Sequence, residues 1–441
     1  MRFVAFCVCS VVLFVVGDAL PLAAQHTGQT QRAVAPSVEA LGRGDVGAAL
    51  PGRAHPFAYN PAHPAALPTQ ITAFRIQGAG SGHVSDHLRH MSRGAPGNLL
   101  NGEPSEFDDD FQTFADSTRR VGARPSLLEA TIALPSFVYR RGPYAVSGGA
   151  TVHSLLNQRF RSDGPDSVPI ADHRARTDVT LSGTVGYDAS VHVPGLRLGL
   201  TLNAVQRYVS ILERRIDQVR PTDKMPVVES TPLLDQLTFF DSRAAQNPVW
   251  VGRSVSLDMG AMYTVSAFDL PGTLRVGAAG FDLWASDFTF ALQDTAPRIP
   301  LLGPLLPDQS APVTNGRVSP SDPLSNAQAE RFQIDPSVRV GAAYTQEAWG
   351  PFRNLAIAVD YQDYRRPSVE QSALAHLHIG AEAQYDILIA RLGINQGYPT
   401  AGVGLRMGHI HVDYAFYGRE EGTSFRETYN YVNTLQVALR F

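Results

Sequence analysis

Hydrophobic and polar residues alternate along much of the chain, which is the pattern of strands that have one apolar face. Residues 196–202 place a leucine at every second position, and segments 179–193, 255–265 and 377–385 repeat the alternation with other apolar residues. A period of two predicts β-strands. Several runs exceed the roughly five or six residues of a typical soluble strand, and a tilted strand needs about 9–11 residues to cross a bilayer.

The alternating segments predict fourteen strands, an even number. Their expected ranges are 70–78, 128–140, 143–155, 176–192, 195–212, 252–269, 272–290, 333–346, 352–364, 374–385, 387–395, 399–407, 409–418 and 431–441.

The connections between these segments alternate between long and short. The odd-numbered connections are long in six of seven cases, whereas the even-numbered ones are tight. The tight turns centre on Gly142-Pro143, Pro194-Gly195, Pro271-Gly272, Gly350-Pro351, Asp386 and Gly408. Outer-membrane barrels have short turns at one end and long loops at the other. Because lipid cannot hydrogen-bond an open sheet edge, such a sheet must close. The prediction is an all-β fold, a transmembrane antiparallel β-barrel.

The two ends of the chain favour the same fold. Residues 1–24 resemble a secretory signal peptide, with Arg2 before an apolar run and cleavage expected after Ala19 or, preferably, Ala24. Cys7 and Cys9 both fall within it. The last strand alternates up to Phe441, and a terminal aromatic resembles the signal read by barrel-assembly machinery. We therefore expect export to the cell outer membrane.

Composition narrows the alternatives. The chain of 441 residues is 44% hydrophobic and 18% charged, which excludes a disordered chain. A net charge of −4 offers no basic excess for nucleic acid. The mean hydropathy of −0.10 argues against a bundle of membrane helices, but it suits a barrel in which only alternate residues face lipid.

A glycine-rich segment before the first strand is the candidate filling of the barrel. Fourteen strands enclose more space than side chains alone fill, so residues 25–68 are expected to plug a barrel formed by residues 69–441. Glycines permit backbone turns that other residues resist, and an Asn-Pro pair favours a turn. The motif residues are Leu41, Gly42, Gly44, Gly47, Ala48, Tyr59, Asn60, Pro61 and Ala62.

This segment resembles the N-terminus of the FadL-like outer-membrane proteins, including their PorV branch, and residues 392–422 resemble the closing strands of PorV-like members. Asp45 departs from the small residue that is usual in the family. The resemblance implies an N-terminal hatch in the lumen. It implies either transport of hydrophobic small molecules, such as long-chain fatty acids, or work as a cargo acceptor with secretion-system proteins. The expected partners are outer-membrane lipids, a hydrophobic ligand and the barrel-assembly machinery.

The long loops contain apolar clusters that predict either a groove for a hydrophobic ligand or self-packing over the barrel mouth. These residues are Leu233, Leu234, Phe239, Phe240, Leu301, Leu302, Leu305 and Leu306. Charged residues on the polar strand faces predict a lumen tied together by opposite charges, either hatch to wall or wall to wall. These residues are Arg339, Asp360, Glu382, Arg391, Arg406, Asp413 and Arg440.

No catalytic, cofactor or metal site is expected. Residues 42–47 match G-x-G-x-x-G, but no acidic residue follows at the distance that a dinucleotide site requires. The pairs His376/His378 and His409/His411 fall on polar strand faces, where lining of the lumen is favoured over metal binding. Motifs of hydrolases and metalloproteases are missing from the sequence, so an enzyme is not predicted.

Overall fold

A computed structural model describes residues 36–52, 58–81, 126–161, 170–215, 249–266, 270–292, 332–364, 373–420 and 429–441. Sixteen β-strands account for most of these residues. They are β1 (Gln70–Ser81), β2 (Ser126–Ala133), β3 (Ser136–Arg141), β4 (Tyr144–Arg161), β5 (Ile170–Asp188), β6 (Leu196–Arg215), β7 (Val249–Val265), β8 (Thr273–Ala285), β9 (Ala291–Leu292), β10 (Ser337–Trp349), β11 (Phe352–Tyr364), β12 (Leu377–Tyr385), β13 (Leu388–Asn395), β14 (Tyr398–Met407), β15 (Ile410–Glu420) and β16 (Tyr429–Arg440).

The strands form one antiparallel sheet that closes on itself, because β1 pairs with β16. β2 and β3 both pair with β1 and β4, so they occupy one place in the wall, interrupted at Leu134 and Pro135. The two-residue strand β9 continues the line of β8 along β7. The wall therefore has fourteen places, and the predicted fourteen-stranded barrel is confirmed.

The two faces of the wall differ as the alternation predicts. Leu181 and Val185 on β5 are 62% and 56% exposed on the outer face. Thr180, Ser182 and Thr184, which alternate with the outward residues, are buried. The outer face therefore offers apolar side chains to lipid, and the lumen is lined by polar side chains. Tyr139, Tyr144, Trp349 and Tyr385 stand exposed beside the short turns, the position of an interfacial aromatic girdle in outer-membrane barrels.

The short turns adopt backbone conformations that their residues suit. Gly142, Gly350 and Gly408 have φ values near +60°, in the left-handed region that favours glycine. In the part of the chain that the structure describes, no helix is long and apolar enough to cross a membrane.

Two predicted strands begin or end in short helical turns instead. Residues Ala189–Val191 form a 3-10 helix after β5, with the side chain of Asp188 accepting a hydrogen bond from the Ser190 amide. Residues Ala373–His376 form another before β12, so His376 does not share the strand face of His378. In both places a local turn replaces the end of the sheet pairing.

Candidate functional site

The N-terminal segment runs through the barrel interior, with its residues buried against inward-facing side chains of the wall. A short helix, α1 (Val38–Gly42), is capped by Ser37, whose Oγ accepts a hydrogen bond from the Ala40 amide at 3.2 Å. A 3-10 turn, His63–Ala66, ends the segment shortly before β1. We call residues 36–50 the acidic half and residues 58–67 the motif half.

Ion pairs connect the acidic half to the wall. Glu39 pairs with Arg440 of β16 at 2.8 Å, and Asp45 pairs with Arg339 of β10 at 2.9 Å. In a third pair the segment supplies the positive charge, since Arg43 pairs with the carboxylate of Glu382 on the wall at 3.3 Å. Each of these side chains lies inside the barrel, where the low dielectric strengthens attraction and penalises an unpaired charge.

The same network also connects strands to each other. Arg391 of β13 pairs with Glu382 of β12 at 2.6 Å and with Asp413 of β15 at 2.8 Å. The sequence left open whether the lumenal charges join the N-terminal segment to the wall or join the strands of the wall to each other. The structure contains both arrangements, and Glu382 takes part in each because it also contacts Arg43.

Asp360 of β11 holds a turn near the end of the acidic half. Its Oδ2 accepts hydrogen bonds from the amides of Gly47 at 2.7 Å and Ala48 at 2.8 Å, and Arg339 lies 3.4 Å away. A carboxylate that accepts two amide hydrogens forms stronger bonds than a neutral acceptor does.

The acids of the segment remain ionised despite their burial. Burial alone would raise the pKa of Asp45, but the charges of Arg339 and His378 and hydrogen bonds from Tyr59 and Arg339 hold that pKa below its ordinary value. For Glu39, burial is likewise outweighed, chiefly by the charge of Arg440, and its pKa is also lowered. Asp45, the departure from the family pattern, therefore serves as an ion-pair partner.

Glycines on the wall allow the segment's backbone to approach closely. A β-carbon on Gly380 or Gly393 would lie under 3.0 Å from the backbone of Arg43, and one on Gly277 would meet Ala48 in the same way. Gly44 itself has a φ of +78° and sits against the Ile379 carbonyl. Side chains at these wall positions would displace the segment.

The motif half also lies close to glycines of the wall, on the opposite side of the barrel. A β-carbon on Gly199 would lie under 3.0 Å from the Pro61 carbonyl, and one on Gly260 would meet Asn60 and Pro61. Gly199 is paired directly with both Gly186 and Gly260 in the sheet, so the contact surface is continuous across three strands.

Asn60 is the polar centre of the motif. Its Nδ2 donates to the carbonyls of Ala48 at 2.8 Å and Ala261 at 3.0 Å, and its Oδ1 accepts from the Ala62 amide at 2.9 Å. The predicted turn, in which the asparagine bonds its own backbone, is confirmed. Asn60 also joins the two halves of the segment to each other and to β7.

Aromatic side chains occupy the lumen between the motif half and the long-loop end. Phe288 and Phe290 project inward between β8 and β9, with ring centroids 5.6 Å apart, and Phe332 meets Phe290 at 6.4 Å. Tyr59 packs in the same cluster as Phe288, and Trp250 packs with Phe332. We call these five residues the lumenal aromatic cluster.

Gln333 and Arg207 hold this cluster in place. The amide of Gln333 accepts a hydrogen bond from the Phe288 amide at 2.7 Å and donates to the Phe288 carbonyl at 3.2 Å. The guanidinium of Arg207 lies 4.7 Å above the Phe288 ring and pairs with Asp178 at 2.7 Å. The cluster is therefore an apolar surface supported by charged and polar neighbours.

The other sequence-predicted residues have mixed outcomes. The loop residues proposed as a ligand groove, 233–240 and 301–306, lie outside the described residues, as do residues 1–24. Phe441 exchanges backbone hydrogen bonds with Ile71, and its ring stacks on His409 at 4.7 Å. Its role as an assembly signal stays a prediction. Within the described ranges, no group of three or more residues could hold a metal ion.

The two histidine pairs do not share the lumen as predicted. His378 is fully buried and its Nδ1 contacts the Gly44 carbonyl at 3.1 Å, which agrees with a lumenal position. His376, however, stacks on Tyr361 of the outer face, and His409 stacks on Phe441 in the same way. Both lie at strand ends, where alternation no longer decides which way a side chain faces.

Comparisons with solved structures return toluene transporters among the similar chains. The chain is similar to the Ralstonia pickettii toluene transporter TbuX, with 15% identity, a TM-score of 0.43, and coverage of 91% of this chain and 97% of that one. For the Pseudomonas putida toluene transporter TodX, the values are 10%, 0.44, 96% and 99%. They are hydrocarbon transporters of the FadL family. No family model and no curated protein matches the chain. Similarity at this level does not extend to cargo.

Proposed function

We propose that this protein passes hydrophobic small molecules across the bacterial outer membrane. The observation that carries the proposal is the lumenal aromatic cluster, which lies in a lumen that many buried polar side chains line. Phe288 and Phe332 are 4% and 6% exposed, although both lie on the inner side of the wall. An apolar surface in that position suits a cargo that avoids water.

The N-terminal segment is the proposed hatch. It contacts the wall through ion pairs from its acidic half and through backbone contacts on glycines from its motif half. A segment held at so many points would block free diffusion through the barrel, so cargo must pass beside it or displace it. Long-chain fatty acids, which the family resemblance implies, are one cargo class; small aromatic hydrocarbons are another.

The test measures uptake by cells that lack other routes for hydrophobic compounds. A labelled long-chain fatty acid and a labelled aromatic hydrocarbon are supplied separately to cells that express the wild-type chain, Phe288→Gln or Thr289→Gln. Thr289 is exposed and adjacent to Phe288, so it provides the matched control. We expect at least one cargo to enter about fivefold more slowly with Phe288→Gln. Equal uptake by all three chains, equal also to cells without the protein, would overturn transport.

The same strains test the secretion alternative that the PorV-like resemblance implies. Cross-linking in intact cells, followed by mass spectrometry, identifies proteins that contact the barrel. Recovery of large secretion components, with no contribution to uptake, would replace transport with a role as cargo acceptor. Mass spectrometry of the purified barrel would show in parallel whether a hydrophobic molecule accompanies it.

A further inference from the structure

Three arginines point into the lumen at the mouth that the short turns surround. Arg140 lies on β3, Arg197 on β6 and Arg275 on β8, each near a short turn. They are neighbours around the wall, because Arg197 is paired with Asp188 of β5, and Arg275 is paired with Thr264 of β7. We call Arg140, Arg197 and Arg275 the arginine row.

Carboxylates do not balance the positive charge of this row. Asp188 contacts two of the arginines, Arg140 at 3.0 Å and Arg197 at 3.4 Å. Arg275 instead donates to a neutral hydroxyl, Oγ1 of Thr345, at 3.1 Å. Within the described contacts of the row, three guanidinium groups thus share one carboxylate.

The nearby acids do not supply the missing charge. Glu39 is buried and is already paired with Arg440 of β16 at 2.8 Å. Glu347 lies near the end of β10 and Asp386 lies in the turn after β12, and both are exposed. These acids therefore leave the excess positive charge of the row in place. An excess of positive charge on a partly desolvated wall attracts anions.

The position of the arginine row inside the barrel indicates the size of the anion that it could bind. The side chains of Arg140 and Arg197 are 34% and 21% exposed and face the lumen, so solvent reaches them from the mouth. A concave row inside a barrel suits a small solute better than a flat protein surface. Guanidinium groups present paired N–H donors that match the oxygen spacing of carboxylate and phosphate groups.

We propose that the arginine row binds small oxyanions, carboxylate or phosphate, at the short-turn mouth of the lumen. This site is separate from the lumenal aromatic cluster and does not rest on the proposed transport of hydrophobic molecules. Its consequence is a mouth that admits anionic solutes in preference to cationic ones.

The test places a cysteine in the row and compares its reaction with reagents of opposite charge. Thr264 lies between the arginines, and its Oγ1 accepts from Arg197 at 3.3 Å. Purified Thr264→Cys is treated with the negative sulfonatoethyl and the positive trimethylammonioethyl methanethiosulfonate reagents. The ratio of their rates cancels differences in thiol ionisation and access, so it reports the local potential. Thr289→Cys, at the opposite end of the barrel, is the control, and the unmodified chain reports any reaction at Cys7 and Cys9.

We expect the negative reagent to be favoured at Thr264→Cys by about tenfold relative to Thr289→Cys at low ionic strength. Adding Arg275→Gln should reduce the ratio by about threefold, whereas Arg253→Gln, an exposed change on the outer side of β7, should leave it unchanged. Heat-modifiable gel mobility verifies that each variant is folded. Equal ratios at the two cysteines, or a preference for the positive reagent at Thr264→Cys, would overturn the proposal.

A second arm identifies the oxyanion. Phosphate and a small dicarboxylate, succinate, are each added at the ionic strength of a chloride control. The anion that occupies the row should slow modification of Thr264→Cys by the negative reagent beyond the effect of chloride. Protection by one of these anions identifies the row as a phosphate or a carboxylate site. Protection by neither anion would overturn the proposal that the row binds oxyanions.

Discussion

Both halves of the N-terminal segment lie against glycines of the wall, and the acidic half is in addition joined to the wall by ion pairs. The acidic half is joined by side-chain charges to β10, β12 and β16, through pairs such as Asp45–Arg339. The motif half rests on β5, β6 and β7 through backbone contacts that only glycines permit, as at Gly199. Charge pairs yield gradually to pH and substitution, whereas a steric contact fails as soon as one β-carbon is added. The motif half, whose described wall contacts are steric contacts and hydrogen bonds, should therefore be the less tolerant part of the segment.

The largest expected effect comes from closing the glycine surface. Gly199→Val would place side-chain atoms where the Pro61 carbonyl and the Ala62 amide lie. We expect the motif half to leave its site, with a loss of about 3 kcal/mol in the free energy of unfolding and a rise in channel conductance. Planar-bilayer recordings and thermal unfolding measure the two effects.

Gly183→Val is the matched control for this change. Gly183 lies on β5, faces outward, and has no atom within 4 Å of the position of an added β-carbon. A Gly199→Val protein that conducted and unfolded like Gly183→Val would contradict the placement of the motif half.

A smaller loss is expected at the turn near the end of the acidic half. Asp360→Asn keeps the shape of the side chain but removes the charge that accepts two amide hydrogens and faces Arg339. The free energy of unfolding should fall by about 2 kcal/mol, and the amides of Gly47 and Ala48 should exchange hydrogen faster. Asp363→Asn, a neighbouring change near the end of β11, is the control. Protected amides in the Asp360→Asn protein would show that the carboxylate does not hold this turn.

The next effect concerns the hydrogen bonds that the Asn60 side chain donates. Asn60→Asp retains the oxygen that accepts from the Ala62 amide but loses the two strongest donations, to Ala48 and Ala261. We expect a loss of about 1–2 kcal/mol for Asn60→Asp and a comparable loss for Asn60→Ala. Denaturant titration of both proteins separates the roles of donor and acceptor. If Asn60→Asp matched the wild-type chain, the turn would depend on the acceptor alone.

Much of the barrel wall could be predicted from the alternation of residues, because lipid on the outer side favours apolar side chains and the lumen favours polar ones. Each of the fourteen predicted strands has a counterpart, including β13 and β14 with boundaries correct to about one residue. The errors fall at strand ends, such as residues 189–191, and at the interruption of predicted strand 128–140 by Leu134 and Pro135, where the local backbone rather than the alternation of faces decides the structure.

The interior was less predictable, for a physical reason. Asn60 and the lumenal charges were expected to be important, but the positions of Gly199, Gly260 and Gly380 were not singled out. A signal was present, since each is a glycine on the inward parity of a long strand. Its meaning depends on register across several strands, which pairs Gly199 with Gly260, and register is not visible in one strand. The inward turn of Phe288 depends on Gln333, 45 residues away, in the same manner.

The smallest expected effect distinguishes the acidic half by its response to acid. Arg440 and Arg339 hold the pKa values of Glu39 and Asp45 below their ordinary range. Because the folded pKa values are lowered, the stabilisation is complete above the ordinary carboxyl range, near pH 4, and is lost as pH falls through the lower folded values. The contribution of these two pairs to the free energy of unfolding should therefore be constant from pH 7 to 5. Below pH 5 it should decline by about 1 kcal/mol for each pair.

Glu39→Gln should remove the share of that decline that belongs to its pair, so the stability of this variant should approach that of the wild-type chain as the pH falls. Unfolding midpoints measured at intervals from pH 7 to 3 give the two curves. The motif half, whose contacts on Gly199 involve no ionisable group, should show no such convergence: the deficit of Gly199→Val should be the same at every pH. Parallel curves for wild type and Glu39→Gln would mean that charge does not hold the acidic half, and the contrast between the two halves would be lost.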